Sequence, residues 1–365
     1  MKAEQLAVAG VRRLQPYQPG KPISELEREL GLTRIIKLAS NENPLGSSPK
    51  ALAAARSGLS ELHLYPDGSG FELKTALAAK LGVDFEQITL GNGSNDVLEL
   101  AARAFLSAEH AAVFSEHAFA VYPIVTQAVG AQARIAPALR YGHDLDAMAG
   151  LVDRNVRVVF IANPNNPTGT WLSREELRRF LGLMPEQVIV VIDEAYFEYV
   201  REPDYPNALT WLDQFPNLIV TRTFSKAYGL AGLRVGYAVS SPEVADLLNR
   251  VRQPFNVNSL ALVAATAALA DEDHLARSVH LNGEGLKQLG AAFSQRGLRF
   301  IPSAGNFLAV DVGRPAAPVY EALLREGVIV RPIANYGLPN HLRVTIGTLE
   351  ENGIFLSALD RVLGS

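Results

Sequence analysis

One lysine stands apart from the others in this 365-residue chain. Lysines fall at 2, 21, 37, 50, 74, 80, 226 and 287, so Lys226 is alone in the long stretch between Lys80 and Lys287. It sits in Thr221-Arg222-Thr223-Phe224-Ser225-Lys226-Ala227-Tyr228-Gly229, after an apolar run and before a glycine-containing segment. An amine desolvated in a crevice and close to cations has a lowered pKa, and only its neutral form attacks an aldehyde to make a Schiff base. Arg222 and Arg234 are the expected source of that positive field. Taken alone, the segment reads more simply as a solvated loop. Its company changes the reading.

Asp193 ends the apolar run Val-Ile-Val-Val-Ile-Asp. A carboxylate at the mouth of a parallel sheet suits a metal, sugar hydroxyls, or the protonated nitrogen of a pyridinium ring. Tyr196 follows three residues later, within reach of a ring oxygen. In Asn163-Pro164-Asn165-Asn166-Pro167-Thr168-Gly169, two prolines and a glycine predict a stiff turn. Such a turn either serves structure alone or holds one amide at the crevice. Gly91-Asn92-Gly93-Ser94-Asn95 follows a short apolar run and opens a helix. Glycines admit a ligand to the backbone, and a helix N-terminus offers N–H groups to an anion. The competing reading makes Ser94 and Asn95 ordinary helix caps. The third glycine of a dinucleotide fingerprint is missing, and Glu116 is the only acidic residue near the required distance.

These residues need a scaffold. Ile88–Leu90, Ala111–Phe114, Val156–Ile161, Val188–Ile192, Leu218–Val220 and Val235–Val239 are short apolar runs alternating with helical patterns. Runs that are apolar throughout are buried on both faces, which marks a parallel sheet covered by helices. The fold class is α/β, and the candidate residues follow directly after strands, where ligand crevices of such sheets lie. Alanine-rich stretches at 51–55 and 261–270 predict helices. The expected organisation is an N-terminal arm over 1–35 with a helix at ISELEREL, a large domain over 36–250 and a smaller α+β domain over 251–365. In the last, one long helix from Ser259 to Leu289 precedes strands at Phe307–Val312, Val328–Arg331 and Leu342–Ile346.

Composition narrows the classes. Hydrophobic residues make up 48% and charged residues 20%, which excludes wholesale disorder. A net charge of −4 leaves no global basic field for nucleic acid. The absence of cysteine excludes disulfides, thiolate metal ligands and thiol catalysis. No apolar run reaches membrane-spanning length, and the first residues lack a leader pattern, so a cytoplasmic protein is expected. No P-loop occurs, and the seven histidines show no HxH or HxxxH spacing, so no metal is expected.

Seven segments in order resemble the histidinol-phosphate aminotransferase family among the class II, fold type I pyridoxal-phosphate enzymes. They are LASNENPLG (38–46), LYPDGSG (64–70), GNGSND (91–96), NPNNPTG (163–169), IDEAY (192–196), TRTFSKAYGLAGLRVGY (221–237) and LRVTIGT (342–348). The likeness runs from Pro16-Tyr17 to Asn352. It implies a large domain with a mostly parallel sheet sandwiched by helices, and pyridoxal 5′-phosphate held by Lys226 as a Schiff base. It implies that Lys226 also shuttles the substrate proton, that Asp193 pairs with the ring nitrogen, and that Tyr196 and Asn166 contact the ring oxygen. Phe119 would stack on the ring. Gly93, Ser94, Asn95, Ser225 and Arg234 would hold the phosphate, with Tyr65 reaching the neighbouring subunit's cofactor across a homodimer. Asn43 and Arg343 would bind substrate, with Arg331 and Tyr17 at its phosphate, a surface ion pair being the alternative for Arg331. The implied reaction is a ping-pong exchange between L-glutamate and imidazole-acetol phosphate, giving 2-oxoglutarate and histidinol phosphate in histidine biosynthesis. Many members carry tyrosine where this chain has Phe119, so an aromatic-amino-acid aminotransferase is the alternative. A phosphate-substrate decarboxylase and a non-catalytic binding protein on this fold are more remote readings.

Overall fold

The computed structural model describes residues 3–364. Its centre is a seven-stranded sheet of β1 (Ile88–Gly91), β2 (Ala111–Ser115), β3 (Gln132–Ala136), β4 (Val156–Ala162), β5 (Ile189–Asp193), β6 (Leu218–Thr223) and β7 (Gly236–Ser240), in the order β1-β7-β6-β5-β4-β2-β3. All pairings are parallel except those of β7 with its two neighbours. The continuous apolar runs are buried on both faces, as their pattern predicts. Ile161, Val190, Ile192 and Val220 join one core, while Val158, Phe160, Val191 and Ile219 join the other. Edge strand β3 is not among the expected strands, because Gln132 and Arg134 interrupt its apolar residues, as suits a strand whose Gln132, Ala133 and Ile135 are exposed.

A second sheet is antiparallel, with β8 (Arg299–Ile301), β9 (Phe307–Asp311), β10 (Arg331–Pro332) and β11 (His341–Thr345) in the order β8-β9-β11-β10. Its core includes Leu289, Phe293, Val310, Val344, Phe355 and Leu359, together with Ile36 and Leu38 from far upstream. Those two reach it because Ile36–Lys37 pairs in parallel with Val328–Ile329. The expected single helix from Ser259 to Leu289 is instead two, Ser259–Leu269 and Glu272–Gln295. Asp271 breaks it: its carboxylate caps the second helix through the His274 N–H and takes the Ser48 hydroxyl, so the backbone leaves the helical path there. Ala261, Ala264, Ala265 and Ala268 of the first helix belong to the large-sheet core.

The N-terminal segment is extended from about residue 14 to 22, with the expected helix at Ile23–Leu30 and two single-turn helices before it. Gly10 lies so close to the 121–128 helix that a Cβ would meet the Gln127 carbonyl oxygen at 2.0 Å. No described helix is long and apolar enough to cross a membrane.

Candidate active site

The ends of β5 and β6 make the floor. Asp193 and Thr221 are direct partners across the two strands. The Asp193 carboxylate accepts the Thr221 hydroxyl at 3.0 Å on one oxygen and the Tyr122 hydroxyl at 3.0 Å on the other. Burial pushes its pKa up, against the pull of both hydroxyls. Tyr122 was not among the expected residues. It lies three residues after Phe119, just inside the helix Val121–Ala128, meets the Phe119 ring edge to face with centroids 6.0 Å apart, and stacks on Phe160 with ring centroids 4.9 Å apart.

Lys226 leaves β6 through a tight turn in which the Gly229 N–H donates to the Lys226 carbonyl at 2.9 Å. Gly229 has φ +70°, and a Cβ there would meet the Gly46 carbonyl oxygen at 2.1 Å. The Lys226 amine donates to the Ser40 carbonyl at 3.2 Å. Burial, then the charges of Arg343 and Arg234, lower its pKa to about 7, against the opposite pull of Glu42 and Asp193. One expectation is corrected here: the field does not come from Arg222. Side chains alternate along a strand, so with Thr221 and Thr223 facing the site, Arg222 points behind it and is neutralised by Glu194 at 2.7 Å.

Tyr196 is buried, and its hydroxyl accepts the Asn41 amide at 2.9 Å. Asn41 is fixed in turn by Thr345, whose hydroxyl accepts the Asn41 N–H at 2.9 Å and donates to its side-chain oxygen at 3.1 Å.

At one end of the cleft, Gly93 precedes the helix Ser94–Phe105, and no side chain caps that helix. The capping reading of Ser94 and Asn95 therefore fails, and both residues line the cleft at the start of the helix. Gly93 has φ +86°, and a Cβ there would lie 2.3 Å from Arg234 Nη2. Arg234 donates through Nη1 to the Ser225 hydroxyl at 3.0 Å. A helix N-terminus, a hydroxyl and a guanidinium thus converge, the donor set a dianion needs.

At the other end, β10 and β11 place Arg331 directly opposite Arg343. Arg343 is buried; it donates to the Asn166 side-chain oxygen and the Ala39 carbonyl, each at 2.6 Å. Its Nε is buried without a partner. Arg331 donates to the Gln18 carbonyl at 2.5 Å and lies 5.9 Å from the Tyr17 ring. It makes no surface ion pair among the described residues. The loop carrying Asn166 is held by Asn165, whose amide donates to the His117 carbonyl and the Thr168 hydroxyl.

All of these surround one cleft of about 170 Å³, lined by Tyr17, Ser94, Asn95, Phe119, Asn166, Asp193, Tyr196, Ser225, Lys226, Arg234, Arg331 and Arg343 among others. Asn41 and Thr223 also line it and were missed. Asn43 does not line it. Its amide is committed to the Ala227 carbonyl at 2.9 Å and the Ser278 hydroxyl at 2.8 Å, so it braces the turn after Lys226 rather than meeting a substrate. Tyr65 lies outside the cleft, 83% exposed and stacked on Phe255.

Residues 33–359 match the family model for aminotransferase class I and II. The chain belongs to the class I and II aminotransferases. It is 67% identical to histidinol-phosphate aminotransferase 2 of Methylococcus capsulatus, over the whole of both chains. It is 63% identical to the protein of the same name from Pseudomonas aeruginosa, covering 98% of each. Among solved structures, the histidinol-phosphate aminotransferase of Sinorhizobium meliloti in complex with pyridoxal-5′-phosphate superposes with a TM-score of 0.90 at 30% identity, covering 98% of this chain and 97% of that one. The architecture shared with these aminotransferases is fold type I, with the family's cleft at the carboxyl ends of the large-sheet strands.

Proposed function

We propose that this chain is a pyridoxal-phosphate-dependent histidinol-phosphate aminotransferase, exchanging an amino group between L-glutamate and imidazole-acetol phosphate in histidine biosynthesis. One observation carries the reading: the depressed amine of Lys226 shares a cleft with an uncapped helix N-terminus, Ser225 and Arg234. The site fits the cofactor on its own chemistry, since Gly93 leaves room for Arg234 only by lacking a Cβ. Ser94, Asn95, Ser225 and Arg234 would hold its phosphate, Asp193 its ring nitrogen, Tyr196 and Asn166 its ring oxygen, Phe119 its ring face and Lys226 its aldehyde carbon. When bound, the cofactor supplies an electron sink that acidifies the α-hydrogen of an amino acid and carries the amino group between two half-reactions.

The chain's own groups do the rest. Lys226 Nζ, neutral in part near pH 7, accepts the α-proton of L-glutamate. Arg343 lines the cleft with one nitrogen, Nε, left without a partner and two tied to Asn166 and Ala39, and its guanidinium is the group that would bind an anionic head group. Because glutamate offers a carboxylate and the second substrate a phosphate, one planar guanidinium must serve both, with Arg331 and Tyr17 adding contacts at the phosphate. The aromatic-amino-acid alternative is not favoured, since the relatives at 63–67% identity carry the histidinol-phosphate name. The test is a half-reaction panel in which the amine-loaded protein meets imidazole-acetol phosphate, phenylpyruvate and 2-oxoglutarate. The proposal requires imidazole-acetol phosphate to exceed phenylpyruvate in kcat/KM, with 2-oxoglutarate reacting as the reverse of the L-glutamate half-reaction.

Arg331→Ala should lower kcat/KM for the phosphate substrate relative to phenylpyruvate by about 1.5–3 kcal/mol, the worth of a charge-assisted hydrogen bond. An unchanged ratio of the two constants would move the aromatic reading ahead.

The working unit is proposed to be a cytoplasmic homodimer. In support, exposed Tyr65 and Phe255 stack on each other, and Leu62 and Leu64, beside Tyr65 in the chain, are exposed as well. An apolar patch of this kind marks an association surface. With Tyr65 acting on the neighbour's site, Tyr65→Ala and Lys226→Ala subunits, each inactive, should recover activity when mixed. Random exchange puts one intact site in each hybrid, so roughly a quarter of the wild-type rate is expected. A mixture that stays inactive after verified exchange rules out the shared site.

A further inference from the structure

Behind the floor of the cleft lies a set of charges that the proposed reaction does not use. Glu194, just past the end of β5, and Arg222 on β6 follow Asp193 and Thr221 and lie behind the floor. Both are buried. Glu194 accepts Arg222 Nε at 2.9 Å and Nη2 at 2.7 Å on one oxygen, and the Ala208 N–H at 3.1 Å on the other. Arg222 Nη2 also donates to the Asn207 side-chain oxygen at 2.8 Å, and its guanidinium lies 3.4 Å from the centroid of the Phe197 ring. One arginine therefore joins four things: the end of β5, the end of β6, the Phe197–Tyr199 turn that follows Tyr196, and the 207–208 segment.

We propose that Glu194 and Arg222 are positioning residues, a buried clamp behind the floor that sets Asp193 and Tyr196 against Lys226. The inference rests on the aminotransferase reading above. The clamp grips the same two strand ends that the Asp193–Thr221 hydrogen bond grips from the cleft side, so each strand end is held on both faces. Stability alone gives little reason for it, because a buried ion pair is often matched by apolar residues of similar volume. Geometry gives a better one: a planar fork that bonds a carboxylate through two nitrogens while stacking on a ring fixes direction as well as distance, which a lysine does not. A second carboxyl, Glu198, comes close to the same guanidinium at the edge of a second cavity of about 440 Å³. Its Oε2 has no partner. Of Glu194 and Glu198, Glu194 is thus the one hydrogen-bonded to Arg222, whose guanidinium also lies over Phe197 in the turn after Tyr196.

The test compares Glu194→Gln/Arg222→Met, which removes both charges, with Arg222→Lys, which keeps the charge and loses the fork. Wild-type protein must first bind pyridoxal phosphate and retain it after borohydride; failure there overturns the aminotransferase reading and not the clamp. The readouts are the melting temperature without cofactor, the pH midpoint of the visible absorbance with cofactor, and kcat and KM for L-glutamate. The double variant is expected to melt within a few degrees of wild type, with kcat down about 10-fold or more, KM little changed and the absorbance midpoint displaced, since small misplacements of reacting groups cost up to about 10²-fold. Arg222→Lys is expected to fall between the two. A double variant with wild-type kcat and midpoint overturns the proposal. If the double variant does not fold, Arg222→Lys decides: a lowered kcat and a moved midpoint support the clamp, and wild-type values for both overturn it.

Discussion

Lys226→Ala is expected to lower transamination by about 10⁴-fold or more, the upper end of what one positioned acid–base group supplies, since the same amine also holds the cofactor. Among the described residues, no other lysine lines the cleft. The phosphate donors Ser225 and Arg234 remain, so pyridoxal phosphate should still bind, while borohydride should fix none of it at position 226. An adduct on Lys37 or Lys80 would refute the assignment. The depressed pKa adds a sign that is open to measurement. With a value of about 7 in the folded protein against 10.5 ordinarily, the unfolded chain binds more protons between those two pH values. Folded cofactor-free protein therefore loses stability as pH falls from 10.5 toward 7, and Lys226→Met should melt higher than wild type at pH 6. The rate of cofactor capture by wild type should rise as pH increases through about 7, tracking the neutral amine. A midpoint near 10 would mean that the site does not desolvate this lysine.

Asp193→Asn should keep the fold and the cofactor while slowing proton abstraction by about 10²–10³-fold, the usual loss when a preorganised charge is removed from a dry site. The carboxylate is buried, and burial disfavours its charge. The Thr221 and Tyr122 hydroxyls that it accepts offset this in part, and a cationic ring nitrogen would complete the set. An amide has the same shape and cannot hold a ring nitrogen protonated. Tyr122→Phe removes one of the two hydroxyls and should cost only about 1 kcal/mol, since Thr221 remains. Single-turnover rates with L-glutamate separate the two variants; a near-wild-type rate for Asp193→Asn would remove the carboxylate from the mechanism.

By itself the sequence determined the sheet and the places where chemistry sits on it. Apolar runs such as Val156–Ile161 and Val188–Ile192 are local signals. The residues that follow them, Asn163–Gly169, Asp193 and Lys226, fall at strand ends whatever the rest of the chain does. The lone lysine was legible for the same reason. Tertiary structure decided what meets what. Tyr122 reaches Asp193 across 71 positions, and Arg343 reaches Asn166 across 177. No periodicity encodes such contacts. Asn41 and Asn43 are near neighbours of one type, yet only the first lines the cleft, because the fold turns the second toward Ala227 and Ser278. The outward face of Arg222 was written in the two-residue period of β6. The depth of its pairing with Glu194 was not, since that depends on the 207–208 segment and on Phe197 closing over it. The break at Asp271 has the same cause: alanine-rich sequence on one side and a good helix former on the other predict one helix. Only a distant serine, Ser48, together with the cap on His274, gives that carboxylate better partners outside the helix than within it.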